Sequence, residues 1–254
     1  MIIPENHFHG RVVVVTGAGQ GNGRAIALGF GRLGAITVVT DINPTTISET
    51  ASLIRQAGGT AHDFVLDVTE ANTCATLANH IAVEIGETEI LINNAGILIR
   101  GGIDAENAPQ NWQKVLDVNV TGTFNVTYAF LPALRKSRGT IVNVASIASY
   151  VGQPTTLGYS PSKGAIKLFT QSLAAELAKD GIRVNAIAPG VIETAMSAVT
   201  RESPERMEKF MARIPMARVG QPDELFGPIL FLASPMASYV TGVVLPVDGG
   251  FLAV

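Results

Sequence analysis

The chain of 254 residues has one cysteine, Cys74, one tryptophan, and charged side chains at only 15% of its positions. A lone cysteine excludes an intramolecular disulfide framework and suits a reducing compartment. The histidines His7, His9, His62 and His80 show no metal-ligand spacing and read as surface or packing residues, so no metal is expected. No apolar run approaches the roughly 20 residues that a membrane span needs, and residues 1–9 lack the apolar core of a signal peptide. The expectation is a cytoplasmic chain with no membrane partner. Net charge is −3 and the basic residues are scattered, which leaves no electrostatic footprint for nucleic acid. Hydrophobic content of 47% is too high for disorder. So low a charge content points to additional surface buried in an oligomer.

What is present is an alternation. Apolar, strand-like runs fall at residues 11–16, 35–41, 60–66, 89–93, 139–145, 182–188 and 242–247, and helical periodicity fills 22–33, 44–57, 71–86, 109–136, 160–179 and 222–233. Strands alternating with helices predict an α/β domain whose parallel sheet is covered on both faces. No linker or composition shift divides the chain, so one domain is expected. Residues 190–221 form the one long irregular stretch, and a loop of that length in a compact domain is usually a functional lid. Met196, Met207, Met211 and Met216 cluster there, either as a flexible apolar wall for a substrate or as packing residues.

The first strand, with valines at 12, 13, 14 and 15, runs into Gly17-Ala18-Gly19-Gln20-Gly21-Asn22-Gly23 and then into helical spacing from Arg24. Strand, glycine turn and helix in that order present backbone N–H groups and a helix N-terminus to a pyrophosphate. The second strand ends in Asp41, 24 residues after Gly17. A carboxylate there accepts hydrogen bonds from ribose hydroxyls and repels a 2′-phosphate. Gln20 and Ile42 are neutral and no arginine or lysine lies beside Asp41, so the cofactor expected is NAD.

Tyr159 and Lys163 stand four apart, and Ser146 lies thirteen residues before Tyr159. On a helix that pair shares one face. A phenol with a pKa of about 10 is a poor base at neutral pH, and an adjacent ammonium would favour the phenolate. The arrangement suits proton exchange with a substrate hydroxyl or carbonyl.

Taken together, residues 16–23, Asn93-Asn94-Ala95-Gly96, Asn119, Ser146, Tyr159 with Lys163, Pro189-Gly190 and Val247-Asp248-Gly249-Gly250 resemble the short-chain dehydrogenase/reductase family along essentially the whole chain. Two positions depart from its pattern: Asn22, where isoleucine is usual, and Pro161, between Tyr159 and Lys163. Pro161 is tolerable in a first helical turn. The resemblance implies a Rossmann-like, doubly wound sheet of seven parallel strands, hydride transfer with a nicotinamide cofactor, and a homotetramer built through 109–136, 160–179 and the C-terminal segment. It implies Tyr159 as acid/base, Lys163 as the residue that lowers its pKa and binds the nicotinamide ribose, Ser146 as holder of the substrate oxygen, and Asn119 as support of a water-linked relay through Lys163. For the cofactor it implies Gly17, Gln20, Gly21, Asn22, Gly23, Asp41 and Ile42. It adds Asp67 and Val68 near adenine, Asn94, Ala95 and Gly96 along the adenosine, and Pro189, Gly190, Ile192 and Thr194 near the nicotinamide and pyrophosphate.

Plainer roles remain open for several of these. Ser146 could start a turn, Asn119 could be a backbone-bonding kink in a helix that disfavours it, and Asp67 could cap the helix that follows. For function, the leading expectation is an NAD-dependent dehydrogenase or ketone reductase of a small secondary alcohol or polyol. The alternative is a 3-oxoacyl-[acyl-carrier-protein] reductase, for which Arg135, Lys136 and Arg138 would offer a basic docking patch. A scaffold that has lost catalysis is a third reading, opposed by the intact Asn119, Ser146, Tyr159 and Lys163.

Overall fold

The structure is a computed structural model and describes residues 7–254. Of the stretch 1–9 read for a signal peptide, residues 1–6 lie outside the described residues. Seven parallel strands form one sheet: β1 (Val12–Thr16), β2 (Ile36–Asp41), β3 (Thr60–Val65), β4 (Thr88–Asn93), β5 (Thr140–Val144), β6 (Arg183–Pro189) and β7 (Val244–Val247), in the order β3-β2-β1-β4-β5-β6-β7. The helices are α1 (Gly21–Arg32), α2 (Pro44–Gln56), α3 (Ala71–Glu84), α4 (Ala108–Leu116), α5 (Thr123–Ser137), α6 (Tyr159–Leu177), α7 (Ala198–Arg201), α8 (Pro204–Met211) and α9 (Phe226–Ala233).

The four valines explain the layering. Side chains alternate across a strand, so Val13 and Val15 enter one core with Ile26 and Phe30 of α1, Ile47 and Ile54 of α2, and Ile229 of α9. Val12 and Val14 enter the other core with Leu77 and Ile81 of α3, Phe130 and Leu134 of α5, and Leu177 of α6. A strand apolar on both faces is what a sheet covered on both sides requires. Two asparagines also lie buried in the sheet. Asn93 donates to Thr127 of α5 and to Asn143, and Asn143 donates to Thr170 of α6, all within 3.0 Å. Polar groups in both covering helices are thereby satisfied through the sheet.

Three stretches differ from the sequence reading. The helix expected over 109–136 is broken by a π-helical segment, Asp117–Gly122, between α4 and α5. Residues 190–221 are not irregular throughout, because α7 and α8 lie within them. The signal for α8 is local: Pro204 occupies the first turn, Glu205 follows, and Lys209 pairs with Glu205 at i, i+4. Residues 222–225 form a 3₁₀ turn before the shorter α9.

Because every strand runs the same way, the loops after β1, β2, β3, β4, β5 and β6 gather along one edge. That edge carries the switch point between β1 and β4, where open α/β sheets bind ligands. A second groove of about 720 Å³ lies at the opposite edge, between the starts of β4, β5 and β6. None of the predicted catalytic or cofactor-binding residues lines it, although Arg138 of the candidate basic patch does.

Close packing at the first turn gives a direct test. A Cβ on Gly23 would collide with the Gly17 carbonyl and the Asn94 amide, whereas one on Gly164, in α6, would meet nothing within 4 Å. Gly23→Ala is expected to lose about 1–3 kcal/mol of stability through overpacking. Gly164→Ala is expected to gain up to about 1 kcal/mol from helix propensity. Denaturant melts of the two variants measure both.

Candidate active site

The cradle comes from the sequence's glycine run. Gly17 has φ +62, and a Cβ there would stand 2.8 Å from the Ala95 Cα, so the turn after β1 presses against the loop after β4. Asn94 clamps this contact by donating to the Thr16 and Gly17 carbonyls, both at 2.9 Å. Helix α1 begins at Gly21 with no side-chain cap from Gln20. Its first amides are free of side-chain partners and face the cleft as an anion site.

The cradle spans about 1140 Å³ and is lined by Gly17, Gln20, Gly21, Asn22, Gly23, Asp41, Ile42, Asp67, Val68, Asn94, Ala95, Gly96 and Thr194, with Leu66, Thr69, Glu70, Lys114 and Asp117 among the others. Asp41 accepts from the Gly19 amide at 3.1 Å and from the Asn43 amide at 3.2 Å. Asp67 accepts from the Thr69 amide and hydroxyl. It forms a tight local turn and is not the cap of α3, which follows Glu70. Arg24 braces the glycine loop from outside the lining. It donates to the Gly19 carbonyl and the Thr50 hydroxyl and pairs with Glu49.

These residues fit a dinucleotide. Donor-rich turns face the pyrophosphate position and a carboxylate stands at the ribose position. The buried Asn22 Oδ1 has no hydrogen-bond partner. An orphan acceptor there calls for a donor such as a ribose hydroxyl or a carboxamide N–H.

Ser146, Tyr159 and Lys163 meet in an adjoining cleft of about 130 Å³, with Asn22, Asn94, Gly96, Pro189, Gly190, Ile192 and Thr194 also in its wall. Three elements position them. Ser146 follows β5 and caps a 3₁₀ turn, accepting from the Ala148 amide at 3.1 Å, while its hydroxyl also reaches the Tyr159 phenol. It therefore starts a turn and faces the cleft. Tyr159 and Lys163 stand in the first turns of α6, and Pro161 lies at its third position, where no intrahelical N–H bond is lost. The Ser149 hydroxyl donates to the Lys163 carbonyl at 2.7 Å and holds the helix against the turn.

The electrostatics correct one expectation. Burial pushes the Tyr159 phenol above its ordinary value, and the Ser146 hydrogen bond only opposes that rise. Lys163 does not pull it down. Its ammonium sits 5.7 Å from the Tyr159 ring centroid, donates to the Val144 carbonyl at 2.7 Å, and is pushed by burial down to about 8. Desolvation is the leading cause of the shift for both groups.

Asn119 explains the π segment. Its side chain accepts from the Ile97 amide at 2.7 Å and donates to the Ile97 carbonyl and the Ser162 hydroxyl. The widened turn aims this amide sideways at the loop after β4. A kink and a tether are both present, and no direct side-chain bond joins Asn119 to Lys163.

Sequence reading missed Arg24, Asn125 and Arg100. Asn125 donates to the Val68 and Thr69 carbonyls and fixes the loop after β3. Of the four methionines, only Met196 lines either cleft, while Met211 packs beside Ile147, Ile214 and Phe251. No cluster of potential metal ligands occurs among the described residues, and no described helix is long and apolar enough to cross a membrane.

The buried Lys163 yields a prediction. Between pH 8 and 10.5 the unfolded chain binds a proton that the folded site does not, so stability rises with pH across that window. Relative to Lys163→Met, the wild type should gain about 2 kcal/mol from pH 8 to 9.5 in denaturant melts. A constant difference would show that the ammonium stays charged.

Residues 17–252 match the family described as enoyl-(acyl carrier protein) reductase. The chain is 38% identical to the 3-oxoacyl-[acyl-carrier-protein] reductase of Thermotoga maritima, over 96% of this chain and 99% of that one. It is 38% identical to glucose 1-dehydrogenase 2 of Bacillus subtilis, over 95% and 94%. A gluconate 5-dehydrogenase from Burkholderia cenocepacia, solved with NADP and tartrate, superposes with a TM-score of 0.93 at 34% identity, covering 97% of this chain and 96% of that one. A dinucleotide cradle joined to a Ser146–Tyr159–Lys163 cleft, and likeness of this extent along the whole chain, lead to one assignment: the chain belongs to the short-chain dehydrogenase/reductase family of oxidoreductases.

Proposed function

We propose that this protein interconverts a secondary alcohol and its ketone with NAD, Tyr159 acting as acid/base. The observation that carries the reading is the Tyr159 phenol set beside Ser146 and Lys163 in a cleft that shares Asn22, Asn94, Gly96 and Thr194 with the cradle. A bound nicotinamide would supply the hydride acceptor for oxidation at the alcohol carbon and the hydride donor for reduction of the carbonyl. Gly17, Gln20, Gly21, Asn22 and Gly23 would hold the pyrophosphate and its ribose, Asp41 and Ile42 the adenine ribose, and Asp67 and Val68 the adenine. Asn94, Ala95 and Gly96 would follow the adenosine, and Pro189, Gly190, Ile192 and Thr194 the nicotinamide end.

In reduction, the phenol and the Ser146 hydroxyl would donate to the carbonyl oxygen as charge develops on it. In oxidation, the phenolate would accept the alcohol proton. Lys163 would bond the nicotinamide ribose, and Asn119 would steady the wall through Ile97 and Ser162. Residues 190–221 would act as the cover, since Met196, Ser197, Thr200 and Phe210 line the cleft.

Charge supports NAD. Asp41, Asp67, Glu70 and Asp117 line the cradle against one cation, Lys114. Arg24 is engaged by Glu49. A 2′-phosphate would meet Asp41, and the nearest arginine, Arg24, is already held by Glu49 and the Gly19 carbonyl. Charge also weighs against an acyl-carrier substrate, because Arg135 pairs with Asp180 and Lys136 with Glu87. With Arg138, both lie just before β5, at the edge opposite Ser146.

We also propose a homotetramer. Phe124, Tyr128 and Leu168 are 51%, 69% and 63% exposed, and Phe124 stacks on Tyr128. An apolar patch shared by α5 and α6 suits a second copy.

Steady-state assays with secondary alcohols test the chemistry. NAD should be preferred over NADP, and Asp41→Ala combined with Ile42→Arg should move that ratio by about 100-fold or more, from the several kcal/mol of like-charge repulsion relieved. Tyr159→Phe should abolish turnover while leaving NADH binding intact, and wild-type oxidation should climb from pH 7 to 10 as the raised phenol ionises. Preference for NADP, or turnover that survives in Tyr159→Phe, would refute the reading. Sedimentation equilibrium should give four chains for the wild type and smaller species for Tyr128→Glu with Leu168→Glu; a monomeric wild type contradicts the tetramer.

A further inference from the structure

Arg100 stands in the wall of the cleft that holds Ser146, Tyr159 and Lys163. It follows β4 in the loop that Asn119 tethers at Ile97. Its guanidinium is half-buried, and desolvation together with the nearby Arg206 disfavours its charge. Among the described residues its side chain has one hydrogen bond, from Nη2 to the Thr200 hydroxyl of α7. None of the ion pairs among the described residues involves Arg100 or Arg206.

A guanidinium offers five donors in a planar fork, and one of them is used here. A charge drawn out of water without a partner costs free energy, and natural interiors pair such charges or bind ions with them. No aspartate or glutamate lines this cleft. The other cation in the wall is Lys163, whose hydrogen bond goes to a neutral carbonyl. The inner cleft is therefore cationic without a counter-charge, while the adjoining cradle is acidic. Gln153, Ser197 and Thr200 add polar groups to the wall, and Leu98, Met196 and Phe210 supply apolar ones.

We infer that the substrate is a hydroxy acid and its keto acid, with Arg100 pairing its carboxylate while Ser146 and Tyr159 hold the reacting oxygen. This rests on the oxidoreductase reading of the same cleft. The fork geometry favours a carboxylate taken bidentately, which fixes the distance and direction from the acid group to the oxidised carbon. Arg100 thereby determines specificity and takes no part in the proton transfer. Its bond to Thr200 couples occupancy of the cleft to the 190–221 cover.

The test uses a matched pair of probes, L-tartrate and threitol, which share a four-carbon chain and differ in carrying carboxylates or hydroxymethyl groups. Calorimetric titration of the full-length protein should show tartrate binding at least tenfold tighter than threitol. Arg100→Met should weaken tartrate by about 10- to 100-fold, the span of charge-assisted hydrogen bonds, and leave threitol unchanged. NADH fluorescence should give the same cofactor affinity in both proteins, which also reports that the variant folds. Equal binding of the two probes, equal losses for both in Arg100→Met, or lost NADH binding would each overturn the inference. Turnover of neutral alcohols that depends on Tyr159, with hydroxy acids no better, would remove the hydroxy-acid assignment and leave the oxidoreductase reading. Arg100-dependent tartrate binding in a protein that turns over no alcohol would do the reverse.

Discussion

The site depends on one buried contact, the Lys163 ammonium on the Val144 carbonyl. Val144 is the last residue of β5, and Lys163 lies in the second turn of α6, so this bond sets the helix against the strand end that presents Ser146. An ammonium held there is desolvated, and its pKa falls to about 8. The same burial raises the Tyr159 phenol. Both shifts favour neutral forms, so the pair is not a ready-made phenolate–ammonium couple at neutral pH. A protonated phenol beside Ser146 is an acid suited to carbonyl reduction, and alcohol oxidation should gain as pH rises.

Around that contact the charges are divided. The outer cradle carries Asp41, Asp67, Glu70 and Asp117, and the inner cleft carries Lys163 and Arg100 with no carboxylate. Clefts lined by one sign of charge focus potential within low-dielectric walls. A neutral adenine ribose suits the first region and an anionic substrate the second. The boundary runs through Asn22, Asn94, Gly96 and Thr194, which line both. Asn22 carries an orphan acceptor at this boundary, a group that a bound dinucleotide would be expected to satisfy.

Much of this was legible in the sequence because its signals are local. The four valines, the glycine turn and Asp41 are each read within a few residues of their neighbours, and the structure places them as strand, turn and strand end. The seven strands follow from the same alternation. What was hidden depends on tertiary contacts or on weak local patterns. Apolar periodicity continues smoothly through 109–136, so the π segment that aims Asn119 at Ile97 left no trace in it. The start of α8 is marked by Pro204 and Glu205, but its eight residues are too few to stand out as helical periodicity within 190–221. The direction of the Tyr159 shift could not follow from an i, i+4 spacing, because desolvation of the phenol in the folded cleft decides it. Arg100 looked like any loop arginine until its lack of a carboxylate partner became visible in three dimensions.

The central claim is that burial, and not the neighbouring ammonium, governs the Tyr159 phenol in the protein without added cofactor. The most direct measurement is a pH titration of ¹³C-ζ-labelled tyrosine by NMR, with Tyr159→Phe assigning the resonance. A midpoint above the ordinary phenol value of about 10 is the result this account predicts. A midpoint at or below about 8 would show that the field of Lys163 dominates, and would contradict it.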